Sequence, residues 1–252
     1  MQKEIQQQLI QLTEQENIKI LLAVESGSRA WGCPSPDSDF DVRIIFSRPI
    51  EKYLSVEGSK EDINYFHGAL LDVNGWDIRK TFKLLRKSNA TPFEWAQSPI
   101  IYQEVAGFRT TLIALAKHYF QPRHSLNHYK GIAKNSYFTN KKAQRINLKK
   151  LFYVLRPLMA AKWIIRKGSI PPMDIPTLLP MIEDANLVAK IQALLAIKAE
   201  AAEDYVHQVD QAIFDFIEAA FALIETVQLP EKEMPDAAPL NAALYKIIGL
   251  NQ

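Results

Sequence analysis

The sequence contains almost no cysteine and no long apolar segment. Cys33 is the one cysteine, so no internal disulfide can form, and cysteine and histidine nowhere show the spacing of a zinc site. A hydrophobic transmembrane helix is excluded because no run of 18 or more apolar residues is present. Residues 1–17 are polar and acidic, unlike a secretory signal or a transit peptide. We therefore expect a cytoplasmic protein without a membrane partner.

Acidic residues are absent from one long segment, residues 105–173, which contains 14 lysines and arginines. Residues 1–104 carry 12 basic and 15 acidic residues, and residues 174–252 carry 4 and 13. The net charge of +2 therefore conceals an acidic, a strongly basic and an acidic segment. The basic segment predicts either a polyanionic partner or docking against the acidic C-terminal segment, and charge alone favours neither.

Hydrophobic patterning predicts two structural regions. Residues 2–16 have helical spacing, residues 18–24 and 39–46 are apolar runs of strand length, and residues 64–76 suit one or two strands. Beyond Gly107 the pattern is almost wholly helical, and helices are predicted over residues 109–119, 125–137, 141–167, 187–205 and 206–227. We predict an α+β fold, with a mixed sheet in a domain over residues 1–106 and a helical domain over residues 107–252.

One short stretch combines residue types that suit phosphate chemistry. A strand runs into Gly27 and Ser28, where a helix can begin, and a helix N-terminus offers unpaired N–H groups to phosphate. On the next strand Asp39 and Asp41 point to the same side, and Arg43 shares that side. Adjacent carboxylates repel each other unless a cation lies between them. Magnesium bound to a nucleoside triphosphate is such a cation.

The order strand, Gly-Ser, short helix, loop, Asp-x-Asp and strand resembles the DNA polymerase β superfamily of nucleotidyltransferases. The strings that carry a closer resemblance are ESGSRAWG (25–32), PDSDFDVR (36–43), GWDIRK (75–80), KSN (87–89) and SPIIY (98–102). They are similar to the RlaP-like nucleotidyltransferases associated with RNA repair. This similarity covers most of the first 165 residues.

The resemblance implies a polymerase-β-like catalytic domain in which the Gly-Ser turn binds the triphosphate. Asp39 and Asp41 would hold two magnesium ions together with a third carboxylate from a neighbouring strand. We prefer Asp77 for this role, although an aspartate at the start of a helix commonly caps it. Asp72 is the second candidate; it lies five residues before Asp77, so on a continuous strand the two face opposite sides.

The implied reaction transfers a nucleoside monophosphate from an NTP to a hydroxyl group. One magnesium ion would lower the pKa of the attacking hydroxyl, and the other would neutralise the departing pyrophosphate. Arg43 would bind a phosphate, or it would form an ion pair with Asp41. Lys149, Lys150 and Tyr153 of the helical part are candidates for contacts with the nucleotide or the acceptor.

Three hypotheses for the function follow from the sequence, and two of them differ in the acceptor. The basic segment 105–173, in which cations alternate with aromatic residues, favours RNA. The alternatives are nucleotidylation (AMPylation) of a protein or small-molecule hydroxyl, and a non-catalytic module that binds nucleotide or RNA. Paired carboxylates argue against a binding module, which does not require them. The sequence specifies neither the base of the NTP nor an oligomeric state.

Overall fold

The computed structural model describes residues 1–67, 70–138, 145–231 and 233–250. The chain forms two compact units, each built from segments that are not contiguous in sequence. The first unit comprises Met1–Gly27, Asp39–Tyr119 and Glu233–Gln252, and the second comprises Ser28–Ser38 and Phe120–Lys232.

The first unit is centred on a five-stranded mixed sheet. Its strands are β1 (Lys19–Glu25), β2 (Phe40–Ser47), β3 (Asp62–His67), β4 (Leu71–Asp77) and β5 (Ile101–Glu104). They lie in the order β3-β4-β2-β1-β5, with β2 and β4 parallel and the other neighbours antiparallel. Within residues 2–119 the chain also forms helices α1 (Gln2–Glu16), α2 (Gly27–Ala30), α3 (Ile50–Leu54), α4 (Ile78–Arg86), α5 (Ala90–Gln97) and α6 (Phe108–Tyr119).

The core of the first unit lies between α1 and the sheet. Ile5, Leu9 and Leu12 recur at helical spacing along α1 and are all buried. They belong to the same hydrophobic cluster as Val42 and Ile44 of β2, which alternate with the polar residues of that strand. This alternation fixes which side chains of β2 are available for chemistry, because a slip of one residue would exchange the two faces.

The second unit is largely helical. It contains α7 (Pro122–Phe138), β6 (Arg145–Asn147), α8 (Leu148–Lys167), α9 (Ile175–Leu178), α10 (Ala185–Glu200), β7 (Val206–Gln208) and α11 (Gln211–Thr226). Helix α8 contacts α7, α10 and α11, and β6 pairs with β7 in an antiparallel ribbon. The sequence predicts a helix over residues 206–227, but its first three residues form β7 instead. The predicted α+β class, with a mixed sheet and a helical part, is confirmed.

The division between the units differs from the predicted boundary at residues 106 and 107. Helix α6 belongs to the first unit, where it packs against α4 and α5. The last helix, α12 (Ala238–Ile248), also packs against α4, and the Tyr119 hydroxyl donates a hydrogen bond to the carbonyl of Asp236. Helical patterning alone could not assign these helices, because it does not show against which element an apolar face packs.

Residues 28–38 belong to the second unit, although they lie between β1 and β2 in sequence. The rings of Trp31 and of Tyr153 on α8 pack edge to face, with 4.8 Å between their centroids. The Trp31 carbonyl accepts a hydrogen bond from the N–H of Ile175, the first residue of α9. Among the helices that the structure describes, none is long and apolar enough to cross a membrane.

Candidate active site

The parallel register of β2 and β4 places Asp41 directly opposite Asp72. Residues opposite each other in neighbouring strands project to the same face of a sheet. One guanidinium nitrogen of Arg43, Nη2, lies 2.7 Å from Oδ1 of Asp41 and 3.0 Å from Oδ2 of Asp72. The other oxygen of Asp72 accepts a hydrogen bond from Asn74 Nδ2 at 2.7 Å. Asp39 is the residue just before β2 and, like Asp41, is only partly exposed.

Gly27 is in close contact with the Asp41 carboxylate. Its φ is +59°, in the left-handed region that side chains disfavour. A Cβ atom at this position would lie 2.0 Å from Oδ2 of Asp41. The glycine of the motif is therefore required by both the backbone turn and the space that the carboxylate occupies.

Ser28 is hydrogen-bonded within the 28–38 segment of the second unit. Its Oγ donates to Oγ of Ser38 at 3.2 Å, and Ser38 Oγ also accepts from the N–H of Ser35 at 2.9 Å. Arg29, for which the sequence suggests no role, donates to the Ser38 carbonyl at 2.7 Å. Helix α2 is only one turn of four residues. Binding of the triphosphate by Ser28 stays a prediction.

Asp77 is not brought together with Asp39 and Asp41. It lies opposite Phe46, five residues further along β4 than Asp72, which corresponds to roughly 16 Å of strand. Its Oδ1 accepts the N–H of Arg79 as the N-cap of α4, and its Oδ2 accepts the Tyr53 hydroxyl, both at 2.8 Å.

Burial raises the pKa of the Asp77 carboxyl, which is 1% exposed. The structure therefore places Asp77 as a structural cap, the alternative weighed above. It is Asp72, the second candidate, that lies opposite Asp41.

Sequence reasoning missed a buried carboxylate next to the motif. Glu25, the last residue of β1, is 0% exposed. One of its oxygens accepts the backbone N–H of Asp41 at 2.8 Å, and the other accepts the hydroxyl of Tyr102. A charged residue at the end of an apolar strand was the available signal. Its partner Tyr102, 77 residues away in sequence, could not be deduced from that signal.

A second feature missed by sequence reasoning is a pair of buried cations behind residues 28–38. Lys198 is 3% exposed and donates to the Cys33 carbonyl at 2.7 Å and to Ser35 Oγ at 3.0 Å. Burial lowers the pKa of Lys198 and raises that of the Cys33 thiol to about 11. Arg156 is 1% exposed, with its guanidinium 4.4 Å from the centroid of the Trp31 ring. These cations fix the conformation of the segment that follows Gly27.

The candidate acceptor contacts lie in the second unit, on the first two turns of α8. Lys149 Nζ forms a salt bridge with Glu203 at 2.8 Å, and Lys150 is exposed. Tyr153 is partly exposed and packs against Trp31. Contacts of these residues with a nucleotide or an acceptor stay predictions.

The basic segment is partly neutralised inside the second unit. Four of its cations form salt bridges with acidic residues of the C-terminal segment: Arg123–Glu231, Lys130–Glu225, Lys149–Glu203 and Arg166–Glu183. These four cations fit one of the two explanations offered by the sequence, in which the basic segment docks against acidic residues of the chain. Lys141 and Lys142 lie outside the described residues, and Arg145 is exposed on β6.

The donor atoms of the site suit magnesium in chemical type. Asp39, Asp41 and Asp72 offer hard carboxylate oxygens, which Mg²⁺ prefers, and nucleotidyltransferases generally use an NTP with a divalent metal. Within the described ranges, no three histidine, cysteine, aspartate or glutamate side chains converge closely enough to hold a metal. The Arg43 guanidinium supplies the positive charge that contacts Asp41 and Asp72 in this structure.

The whole chain resembles known proteins. It matches the RlaP family, the RNA repair pathway DNA polymerase beta family, over residues 1–246. It is 38% identical over 229 residues to the uncharacterized protein YcgL of Bacillus subtilis (strain 168), and these residues cover 87% of this chain and 88% of that protein. A nucleotidyltransferase-like protein from Exiguobacterium sibiricum 255-15 is 13% identical, with a TM-score of 0.32 over 96% of this chain and 77% of that one. The match over residues 1–246 confirms the predicted resemblance: the chain belongs to the RNA repair pathway DNA polymerase beta family and is a polymerase-β-type nucleotidyltransferase.

Proposed function

We propose that the protein transfers a nucleoside monophosphate from a magnesium-bound NTP to a hydroxyl group of RNA. The observation that carries this proposal is the pairing of Asp41 with Asp72 across β2 and β4, with Arg43 in contact with both carboxylates. Asp39, two residues before Asp41, is the other acid of the Asp-x-Asp motif. Asp72 thus takes the place that the sequence analysis gave to Asp77.

The proposed reaction is an in-line substitution at the α-phosphorus. The acceptor oxygen forms a bond to this phosphorus, while the bond from the α-phosphorus to the oxygen that bridges to the β-phosphate breaks. Pyrophosphate leaves with the electron pair of that bond, and the hydroxyl proton passes to a carboxylate such as Asp72 or to solvent. Asp39, Asp41 and Asp72 would hold two magnesium ions, which supply charge stabilisation and a lower pKa for the hydroxyl.

Arg43 has two tasks in this proposal. In the free protein its positive charge offsets the repulsion between Asp41 and Asp72, because like-charged groups at short distance are costly. With NTP present, its planar guanidinium can donate paired hydrogen bonds to phosphate oxygens, which a lysine could not do in the same geometry. The free-state contact and the phosphate contact are two uses of the same group at one site.

RNA as the acceptor is supported by the name of the family and by the charge of residues 105–173. The family is described as part of an RNA repair pathway, and this segment contains 14 basic and no acidic residues. The four salt bridges of Arg123, Lys130, Lys149 and Arg166 reduce the charge that can face a partner. The remaining cations include the exposed residues Arg145 and Lys150.

A labelling experiment tests both the activity and the acceptor. The protein is incubated with each of the four α-labelled NTPs, total RNA, and magnesium or EDTA, and the products are separated into RNA, protein and small molecules. Asp41→Asn is the inactive variant, and Asp62→Asn is the matched control because Asp62 is an exposed acid of β3 in the same sheet. We expect label in RNA, with magnesium only, from wild type and Asp62→Asn.

The other outcomes identify what is wrong. Label in protein or in a small molecule would replace RNA with that acceptor class while retaining the transfer. Equal labelling by Asp41→Asn and the wild type would contradict the assignment of the carboxylates. Absence of label with every NTP and every acceptor fraction would contradict the proposed transfer.

A further inference from the structure

Glu25 is a buried carboxylate in direct contact with the proposed site. Both of its carboxylate oxygens are engaged, one by the backbone N–H of Asp41 and the other by the hydroxyl of Tyr102. Burial of an ionisable group is costly unless hydrogen bonds satisfy it. A fully buried glutamate at this position therefore indicates that neighbouring donors require its two oxygens as hydrogen-bond acceptors.

The donor that requires such an acceptor, the backbone N–H of Asp41, lies where β1 stops pairing with β2. In a regular antiparallel pair of strands, every second pair of opposite residues exchanges two N–H···O bonds. The N–H of Ser26 donates to the carbonyl of Asp41 at 2.8 Å, but the N–H of Asp41 donates to the Glu25 side chain. The chain turns away at Gly27, whose φ is +59°. The Glu25 carboxylate thus supplies the acceptor for Asp41 at the end of the ladder.

Glu25 is itself held from the side of β5. Its N–H donates to the Ile100 carbonyl at 2.9 Å, and its carbonyl accepts Oγ of Ser98 at 2.6 Å. The Tyr102 hydroxyl fixes the end of the side chain. The path from β5 to the backbone of Asp41 therefore runs through the Tyr102 hydroxyl and the Glu25 carboxylate, whereas Ser98 binds the carbonyl of Glu25.

We propose that Glu25 is a positioning residue for nucleotidyl transfer, which acts by fixing the backbone of Asp41. This inference rests on the proposed function. The Asp41 carboxylate has little freedom, because Gly27 borders it on one side and Arg43 binds it on another. A shift of its backbone therefore moves the carboxylate relative to Asp72. Glu25 does not contact the substrate, since it is 0% exposed and its oxygens face Asp41 and Tyr102.

The test compares three changes at Glu25 with one matched control. Glu25→Gln keeps an acceptor oxygen for the Asp41 N–H, Glu25→Asp keeps the charge but is one methylene too short, and Glu25→Ala removes the group. Ser98→Ala is the control, because it removes a buried hydrogen bond to the carbonyl of Glu25 and leaves the Glu25–Asp41 contact in place.

Three readouts separate positioning from simple stability. Hydrogen exchange of the Asp41 amide, measured by NMR, should accelerate by about tenfold or more in Glu25→Ala and Glu25→Asp but not in Glu25→Gln or Ser98→Ala. The rise in melting temperature caused by magnesium should shrink in the same two variants. Their kcat should fall by about 100-fold with a nearly unchanged KM for the NTP, as expected for misplaced catalytic groups.

Two results would overturn the positioning role. One is an unchanged exchange rate of the Asp41 amide in Glu25→Asp and Glu25→Ala. The other is a loss of melting temperature like that of Ser98→Ala, with unchanged kcat and magnesium response. Should Glu25→Ala fail to fold, Glu25→Asp decides the question. A wild type that transfers nothing overturns the proposed function instead, and amide exchange and magnesium response then still decide the role of Glu25.

Discussion

Gly27 and Asp41 occupy mutually exclusive space: a Cβ atom on residue 27 would lie 2.0 Å from the Asp41 carboxylate oxygen Oδ2. The contact joins the turn that ends β1 to the first acid within β2. The contact by itself requires a glycine at this position of the Gly-Ser motif, whether or not the motif binds phosphate. The placement of the acid and the path of the chain are therefore coupled.

Gly27→Ala should abolish transfer and lower the free energy of unfolding by at least about 1–2 kcal/mol. The left-handed φ alone accounts for that cost in a residue with a side chain, and the clash with Asp41 adds to it. Gly107→Ala is the matched control, because Gly107 has a φ of +78° and nothing within 4 Å of the added Cβ. Urea unfolding should show the cost of the left-handed φ in both variants and a larger loss for Gly27→Ala because of the clash, and transfer assays should show a loss of activity only for Gly27→Ala. Full activity of Gly27→Ala would disprove the coupling.

The second prediction concerns the third carboxylate. Asp72→Asn should reduce transfer by roughly 100-fold or more, because a charged ligand opposite Asp41 is lost. Asp77→Asn should retain activity and most of the stability, since asparagine caps a helix nearly as well as aspartate. Asp77→Ala should cost about 1 kcal/mol of unfolding free energy. Steady-state rates and urea unfolding provide both comparisons, and the reverse ranking of activities would restore Asp77 as the catalytic acid.

The choice between Asp72 and Asp77 shows what the sequence could not provide. The Gly-Ser and Asp-x-Asp strings, helix α1 and strand β2 were all predictable, because each depends on local spacing within a few residues. The third acid depends on the parallel register of β2 and β4, which no spacing encodes. The contact of Glu25 with Tyr102 likewise spans 77 residues of sequence.

The division into units was less predictable for the same reason. Helical periodicity in α6 and α12 is visible in the sequence, but their packing on α4 is not. The 28–38 segment contains glycine, prolines and serines, which indicate a loop. Its assignment to the second unit depends on Trp31 and on the buried Lys198, whose partners lie far away in sequence.

The third prediction is a pH dependence of stability that arises at Asp77. Burial raises the pKa of this carboxyl, so the folded protein takes up a proton at a higher pH than the unfolded chain does. Its contribution to the unfolding free energy must therefore rise as the pH falls from the raised pKa towards about 4, the ordinary range of aspartate. This pH-dependent contribution is absent in Asp77→Asn, because asparagine does not titrate. Urea unfolding should show that the unfolding free energy of the wild type increases relative to that of Asp77→Asn between pH 7 and about pH 4. The same difference between the two proteins at both pH values would contradict the raised pKa of Asp77.

The fourth prediction concerns Arg43 and metal. Arg43→Gln removes the positive charge between Asp41 and Asp72, so the metal-free protein should lose about 1–2 kcal/mol. Magnesium or manganese should then raise the melting temperature more than in the wild type, because the cation no longer competes with the guanidinium. Transfer should fall in the same variant. Arg79→Gln, which breaks the ion pair with Glu61 elsewhere in the first unit, is the control. An equal metal response of both variants would show that the site does not bind the ion through these carboxylates.

The last prediction separates RNA binding from internal docking of the basic segment. Lys141, Lys142 and Arg145 changed together to glutamine should weaken RNA binding and reduce its log–log salt slope by about 2 units, at about 0.7 per phosphate contact on a single strand. Arg166→Gln is the control, because Arg166 already pairs with Glu183.

Titration with RNA at several salt concentrations, together with the melting temperature of both variants, tests this contrast. We expect Arg166→Gln to lose a little stability and to keep the slope of the wild type, whereas the triple variant keeps its melting temperature. The docking account requires the opposite for the triple variant, a lower melting temperature with unchanged RNA binding. RNA binding that is insensitive to salt would leave a protein or small-molecule hydroxyl as the acceptor, since phosphate contacts release counterions.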